Sequence, residues 1–268
     1  MVSANAGQLE DGSTAYDRGD YTTALRLWRP LARHGDADAQ NNLGLMYAQG
    51  HGVKQDHSEA VIWYRLAAEQ GVATAQRNLG AAYYNGEGVP QDYAAAVKWF
   101  RLAAEQGYAG AQHNLGVAYA QGDGVPRDYV QAVKWFRLAA HQGLAPAEHN
   151  LGFLHEQGKG VPQDYVEAVK WYRFAAEQGH PGAQHSLGSM YLQGKGVPQD
   201  NMLAYMWSNL SAAQGSDEVV TRARDLAASR MTSDQLAEAQ RMTREWKRAG
   251  NADDAGCKCQ VDPKSRRF

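Results

Sequence analysis

The chain has 268 residues, a formal net charge of −2 and 44% hydrophobic residues. That balance lacks the basic face that a phosphate backbone demands, and it matches neither a disordered nor a membrane-embedded chain. No apolar run approaches the ~18–20 residues of a membrane span, so neither nucleic-acid binding nor membrane insertion is expected. Glycine is the anomaly, with 28 residues, or about one in ten, against a usual ~7%.

Residues 1–7 contain Ala4-Asn5-Ala6, a small-x-small pattern like a signal-peptidase site, with no charged or apolar region ahead of it. They read as the remnant of a signal peptide or as a disordered N-terminus. Residues 8–35 include "AYDRGDYTTALRLWRPLARHG" (15–35), which has the pattern of the repeat that follows but lacks its long loop. Leu27 stands there in the slot of a recurring tryptophan, and Trp28 in that of a tyrosine or phenylalanine.

From Gly35 the chain repeats itself. Tryptophan recurs at Trp63, Trp99, Trp135, Trp171 and Trp207, and glycine at Gly35, Gly71, Gly107, Gly143, Gly179 and Gly215, both in steps of 36. Such a period marks a solenoid of stacked helical units, five of which fill residues 36–215. Each leading helix carries a version of "AQNNLGLMYAQG" (39–50), with Ala39, Leu43 and Tyr47 on one face. Gly44 inside that helix costs about 1 kcal/mol against alanine. Its return at the same phase in every unit predicts that two helices approach closely there.

A loop of the type "GHGV" follows, its glycines suited to positive φ. Its tip varies as His51, Glu87, Asp123, Lys159 and Lys195, and a slot that takes either sign reads as solvated. Asp56, Asp92, Asp128, Asp164 and Asp200 then cap the trailing helix, with Glu59 and Glu167 in capping-box position. Pro90, Pro126, Pro162 and Pro198 stiffen the loop upstream. Ala96, Trp99, Phe100 and Ala103 form an apolar stripe, and Gly107 supplies a left-handed end. On the outer face, Arg65–Glu69 and Arg101–Glu105 are expected to pair at i,i+4.

The fifth unit differs. "WSNLSAAQG" places the polar Ser208, Asn209 and Ser211 where other units have tyrosine or phenylalanine, arginine and alanine, as suits a terminal repeat with less neighbour to bury it. Two further helices, 216–230 and 232–246, form a C-terminal cap within 216–249. The second opens with Thr232 and Gln235 as a capping box. The tail, 250–268, is polar and expected to be flexible. Its Cys257 and Cys259 make no disulfide framework and a poor zinc half-site, so an exposed reactive thiol is expected.

The A-x-x-x-L-G-x-x-Y-x-x-G-x-G-V-x-x-D stretch, as in Ala75 to Asp92, and the A-x-x-W-[YF]-x-x-A-A-x-x-G stretch, as in Ala96 to Gly107, resemble the Sel1-like repeats, relatives of the tetratricopeptide repeats. The resemblance implies an all-α fold, a right-handed α/α superhelical solenoid of helix pairs with the leading helices on the concave side. It also implies a bacterial, non-enzymatic scaffold or adaptor. Export is common in such proteins, so a periplasmic or secreted place is expected, with the cytoplasm as the alternative.

Function in such a frame is expected where the frame holds constant and the side chains change. The residue before the helix leucine is Asn42, Asn78, Asn114, Asn150 and finally Ser186; the one before that is Asn41, Arg77, His113, His149 and His185. By analogy with tetratricopeptide repeats these positions grip an extended peptide. An asparagine ladder suits such a grip, because each amide offers donor and acceptor; the competing reading has these asparagines bonding loops of the neighbouring unit. Residues one and four after the helix glycine, among them Val117, Phe153 and Tyr84, vary in size as a specificity surface does. The candidate partner-binding set is therefore Asn42, Asn78, Asn114, Asn150, Arg77, His113, His149, His185, Tyr84 and Phe153. The partner is an unidentified protein or peptide. The alternative is a glycan or cell-wall fragment stacked on Tyr84 and Phe153, with weak hydrolysis attending it.

No catalytic set emerges. "GKG" at 158–160 and 194–196 lacks the Ser/Thr for magnesium and follows a helix. His155-Glu156 has no second histidine four residues on, and His155 occupies the tyrosine slot as a packing residue. No serine stands in Ser-x-x-Lys spacing. The column of His113, His149 and His185, on helices about 10 Å apart, offers an ion no third ligand and reads as polar groove lining. No enzymatic activity, metal or cofactor is expected.

Overall fold

A computed structural model describes the backbone of residues 2–215 and 218–254, with side chains over 7–215 and 218–246. Among the described residues there are fourteen helices and no strand. The short first repeat is α1 (Val2–Asp17) and α2 (Tyr21–Arg33). The leading helices of the five repeats are α3 (Ala37–Gln49), α5 (Ala73–Asn85), α7 (Ala109–Gln121), α9 (Ala145–Gln157) and α11 (Pro181–Gln193). The trailing helices are α4 (His57–Glu69), α6 (Tyr93–Glu105), α8 (Tyr129–His141), α10 (Tyr165–Glu177) and α12 (Asn201–Ala212). The helices expected as a cap are α13 (Glu218–Ser229) and α14 (Ser233–Asp254). Helix α1 thus begins ahead of residue 8, and α14 runs past residue 249. Cys257, Cys259 and the rest of 255–268 lie outside the described residues. The chain divides into two compact units, residues 1–135 and Phe136 onward.

In the first unit, α1 packs on α2, α3 on α4 and α5 on α6, and each trailing helix packs on the next leading helix. The helix glycines set these distances. A Cβ on Gly44 would lie 2.5 Å from the Tyr64 ring, and one on Gly80 2.7 Å from the Phe100 ring. Gly12 meets the Trp28 ring in the same way, so the short first repeat is built on the same contact. The core follows this line through Trp28, Leu43, Tyr64, Leu79, Phe100 and Leu115, all buried. The second loop glycine serves a separate contact. Gly88 lies against the backbone of His57, and Gly124 against that of Tyr93, with φ of 73° and 70°. Any side chain there would strike the preceding trailing helix.

The aspartate caps form as expected. Asp56, Asp92, Asp128, Asp164 and Asp200 each accept backbone N–H bonds of 2.9–3.0 Å. The capping boxes at Glu59 and Glu167 do not. The Asp56 N–H already donates to the Tyr47 carbonyl (2.9 Å), and the Asp164 N–H to that of His155 (3.0 Å). Glu59 instead accepts from Trp63 Nε1 (2.9 Å), and Glu167 pairs with Lys170 (3.0 Å). The outer-face arginines also differ from expectation. Arg65 donates to the Tyr83 hydroxyl (2.7 Å) and Arg101 to that of Tyr119 (2.9 Å), across to the next leading helix rather than to Glu69 or Glu105.

A buried glutamine ladder joins successive repeats. Gln40 and Gln76 donate to the carbonyls of Ala32 and Ala68 (both 3.1 Å), at the end of the preceding trailing helix. Their own amide oxygens accept from Gln70 (2.7 Å) and Gln106 (2.8 Å). Buried polar groups need such partners, and each of these glutamines has two.

The second unit uses the same devices. Gly152 faces the Tyr172 ring, and Gln184 bonds the Ala176 carbonyl (3.2 Å) and accepts from Gln214 (3.0 Å). The serines of the fifth repeat are buried, contrary to the terminal-exposure reading. Ser208 is 1% exposed and sits against Gly188; Ser211 donates to the Pro181 carbonyl (2.9 Å). Burial follows because α13 and α14 both pack on α12. The Trp246 ring stands edge-on to Trp207, centroids 5.0 Å apart. Thr232 and Gln235 form a reciprocal capping box, with bonds of 3.0 and 3.3 Å.

Candidate functional site

In the first unit, α5 and α7 lie side by side along the leading-helix face. Arg77, Ala81, Tyr84 and Asn85 of α5 and His113, Asn114 and Val117 of α7 enclose a pocket of about 250 Å³. Phe100, 2% exposed, is its floor. Four of the ten predicted residues therefore meet here: Arg77, Tyr84, His113 and Asn114. The floor is apolar because Gly80 lets the Phe100 ring come up beside α5.

Asn41, Asn42 and Asn78 bond one another along the helix face. Asn78 Nδ2 donates to Asn41 Oδ1 (3.2 Å), and Asn41 Nδ2 to Asn42 Oδ1 at the long distance of 3.5 Å. Arg77 Nη1 donates to Asn78 Oδ1 (3.3 Å). Asn42 and Asn78 thus form a connected polar strip that leads to the pocket rim at Arg77.

Tyr84 is a wall of the pocket, with its hydroxyl already engaged. That hydroxyl lies 2.6 Å from Gln121 Oε1 and 2.5 Å from Asp123 Oδ2 and shares its proton between them. Burial and the bond to Asp123 push the phenol pKa well above its ordinary range. Tyr16 does the same two repeats earlier, 2.6 Å from Gln49 Oε1 and 2.9 Å from His51 Nδ1. The loop-tip positions His51 and Asp123 are therefore tyrosine anchors, which corrects their reading as merely solvated.

In the second unit the candidates take separate roles. His149 is enclosed between the His180 ring (4.9 Å, stacked) and the Tyr172 ring (5.6 Å). Burial, then the neighbouring His180 and His185, lowers its pKa to about 4. It is half-buried and neutral at physiological pH. His180 Nδ1 accepts from the Ala183 N–H (3.1 Å) and caps α11. Asn150 is half-buried beside His149. His185 borders a cavity of about 460 Å³ with Pro181, Ser211, Gln214 and Val220. Phe153 is 42% exposed, with the Lys159 ammonium 5.4 Å from its ring centre. His155 packs in the tyrosine slot, 8% exposed, its pKa lowered chiefly by burial.

Among the described residues no three His, Cys, Asp or Glu side chains gather as metal ligands. No helix among them is long and apolar enough to cross a membrane. Sequence reasoning missed the Phe100 floor and the glutamine ladder. The ladder's signal was present, since Gln40, Gln76, Gln112 and Gln184 recur at one phase.

The Sel1 repeat family model matches residues 37–72, 73–108, 109–144, 145–180 and 181–216. No curated protein is similar enough in sequence to match. Among solved structures, the Escherichia coli protein c5321, described as a protective antigen of uropathogenic strains with an SLR fold, is 39% identical with a TM-score of 0.77. The alignment covers 93% of this chain but 54% of that one, so the chain spans about half of c5321. A Sel1 repeat protein from Oxalobacter formigenes is 33% identical with a TM-score of 0.76, covering 88% of this chain and 99% of that one. The Pseudomonas aeruginosa immunity protein Pa5087, 20% identical with a TM-score of 0.52 over 80% of this chain and 84% of its own, shares the fold alone. Sel1 repeats are generally non-enzymatic scaffolds for protein–protein interaction. With five consecutive repeats matched and the same helix-pair fold, the chain belongs to the Sel1 repeat family.

Proposed function

We propose that this chain is a non-catalytic scaffold that holds an extended segment of a partner protein along its leading helices, anchored in the pocket between α5 and α7. The observation that carries this is the pocket itself. An apolar floor of Phe100, Ala81 and Val117 lies under a rim of Arg77, His113 and Asn114, the combination that buries one side chain and fixes its direction with a few polar groups. The strip of Asn42, Asn41 and Asn78 offers further amides to a peptide backbone. The Tyr84 hydroxyl donates its proton to Gln121 and Asp123 and has none left for a sugar, which favours a peptide over a glycan. On the family resemblance alone, we place the scaffold in the periplasm or outside the cell.

Selection of binders from a random peptide library by the full chain tests this reading. Asn114→Ala and Arg77→Ala should each weaken the selected peptides about three- to tenfold, with unchanged melting. Selected peptides that bind both variants as tightly as the original chain would place the partner elsewhere.

A further inference from the structure

The second feature that points to a ligand lies on α2, away from the pocket. Arg26, Arg29 and Arg33 line a groove of about 520 Å³ with Leu25, Pro30 and His34. Arg26 and Arg33 are exposed and Arg29 is half-buried. The opposite face of the helix holds Ala24, Trp28, Leu31 and Ala32 in the core.

The repeat supplies its own control. One period on, the slots of Arg26, Arg29 and Arg33 hold Ile62, Arg65 and Glu69, and after that Lys98, Arg101 and Glu105. There the middle arginine is tied down, Arg65 to Tyr83 and Arg101 to Tyr119. On α2 no hydrogen bond or ion pair holds any of the three among the described residues. The glutamate that stands in this slot in α4, α6 and α10 (Glu69, Glu105 and Glu177) is replaced by Arg33. Asp20, whose charge interacts with Arg26 at a distance, is engaged as the N-cap, accepting from the Thr23 N–H (3.0 Å). Like charges one turn apart repel, and little within the fold offsets that repulsion.

We propose that this stripe docks an acidic, extended segment of a partner protein. The charge is complementary, and the length fits. Arg26 to Arg33 spans about 10 Å at 1.5 Å per residue. An extended chain covers that distance in about three residues, so two carboxylates on one side of it reach two or three guanidiniums with paired bonds. A membrane surface fits less well. An interfacial helix inserts an apolar face, and the apolar face of α2 is already buried against the core.

The test measures fluorescence anisotropy of a labelled hexapeptide of alternating glutamate and glycine with the full chain at low ionic strength. Two further probes are the same peptide with glutamine for glutamate, and vesicles containing phosphatidylserine. The glutamate peptide should bind, and the glutamine peptide should not. Arg33→Glu, which writes the residue of α4, α6 and α10 into α2, should cut affinity about tenfold or more. Because that slot carries glutamate elsewhere, the variant is expected to keep its melting temperature. The double variant Arg26→Gln/Arg29→Gln is the second reading of the same effect, and Asn114→Ala should leave this binding untouched. Absence of glutamate-peptide binding, equal binding of the glutamine peptide, insensitivity to both arginine variants, or binding of the vesicles alone would each overturn the proposal.

Discussion

Gln178 Nε2 donates to Glu148 Oε2 at 2.6 Å, where Gln106 donates to Gln76 and Gln214 to Gln184. Glu148 is 0% exposed. It is an acid in a slot where four other repeats place a glutamine whose amide N–H donates to the carbonyl eight residues earlier. A buried carboxylate carries a desolvation cost that an amide does not. Glu148→Gln should therefore stabilise the protein at pH 7–8 by about 1–3 kcal/mol. Urea unfolding measures it, and an unchanged or lowered midpoint would refute the ladder's energetic role.

Helix glycines are packing residues, so alanine should harm despite its better helix propensity. A Cβ at Gly80 would come within 2.7 Å of the Phe100 ring and 3.2 Å of the Ala96 carbonyl. Overpacking of this kind costs about 1–3 kcal/mol, against about 1 kcal/mol gained in propensity. Gly188→Ala faces the small Ser208 side chain instead and should cost less. Thermal melting of the two variants gives the order, and a more stable Gly80→Ala protein would contradict the contact.

The histidine stack of the second unit sets a pH window. The folded pKa of His149, about 4, lies below its ordinary 6.5. The unfolded chain therefore binds more protons between these values, and stability falls as pH drops from about 6.5 to about 4. It is constant above that window with respect to this group. The loss is at most about 3 kcal/mol. His149→Gln should flatten the curve relative to the original chain, and equal slopes for the two would exclude His149 as the titrating group.

Tyr84→Phe removes the hydroxyl bound to Asp123 and keeps the ring that walls the pocket. Hydrogen bonds to a charged acceptor are worth about 1.5–3 kcal/mol. The variant should melt several degrees lower and still bind groove peptides. Lost peptide binding with unchanged melting would make the hydroxyl a partner contact.

The frame was legible because its signals are local and periodic. Trp63 and its successors, the Asp56 series and the helix glycines each report on their own turn of chain. What escaped depends on contacts between repeats. Arg65 and Glu69 have ideal spacing on one helix, yet the arginine turns to Tyr83, 18 residues away. Tyr84 reads as free in the sequence, while in the fold Asp123, 39 residues on, holds it. The histidine column looks uniform in the sequence, but in the fold His180, 31 residues on, stacks on His149.

The two ends of such an array are not alike. Every repeat presents one surface to its predecessor and a different one to its successor. Copies left open at both ends would join front to back, and a contact of that kind does not close on itself but grows into filaments. Helices α13 and α14 stand on α12 where a sixth repeat would begin, and Trp246 is wedged edge-on against Trp207. They have neither the period nor the loop of a repeat. The two helices thus occupy the face of α12 that a further repeat would otherwise cover.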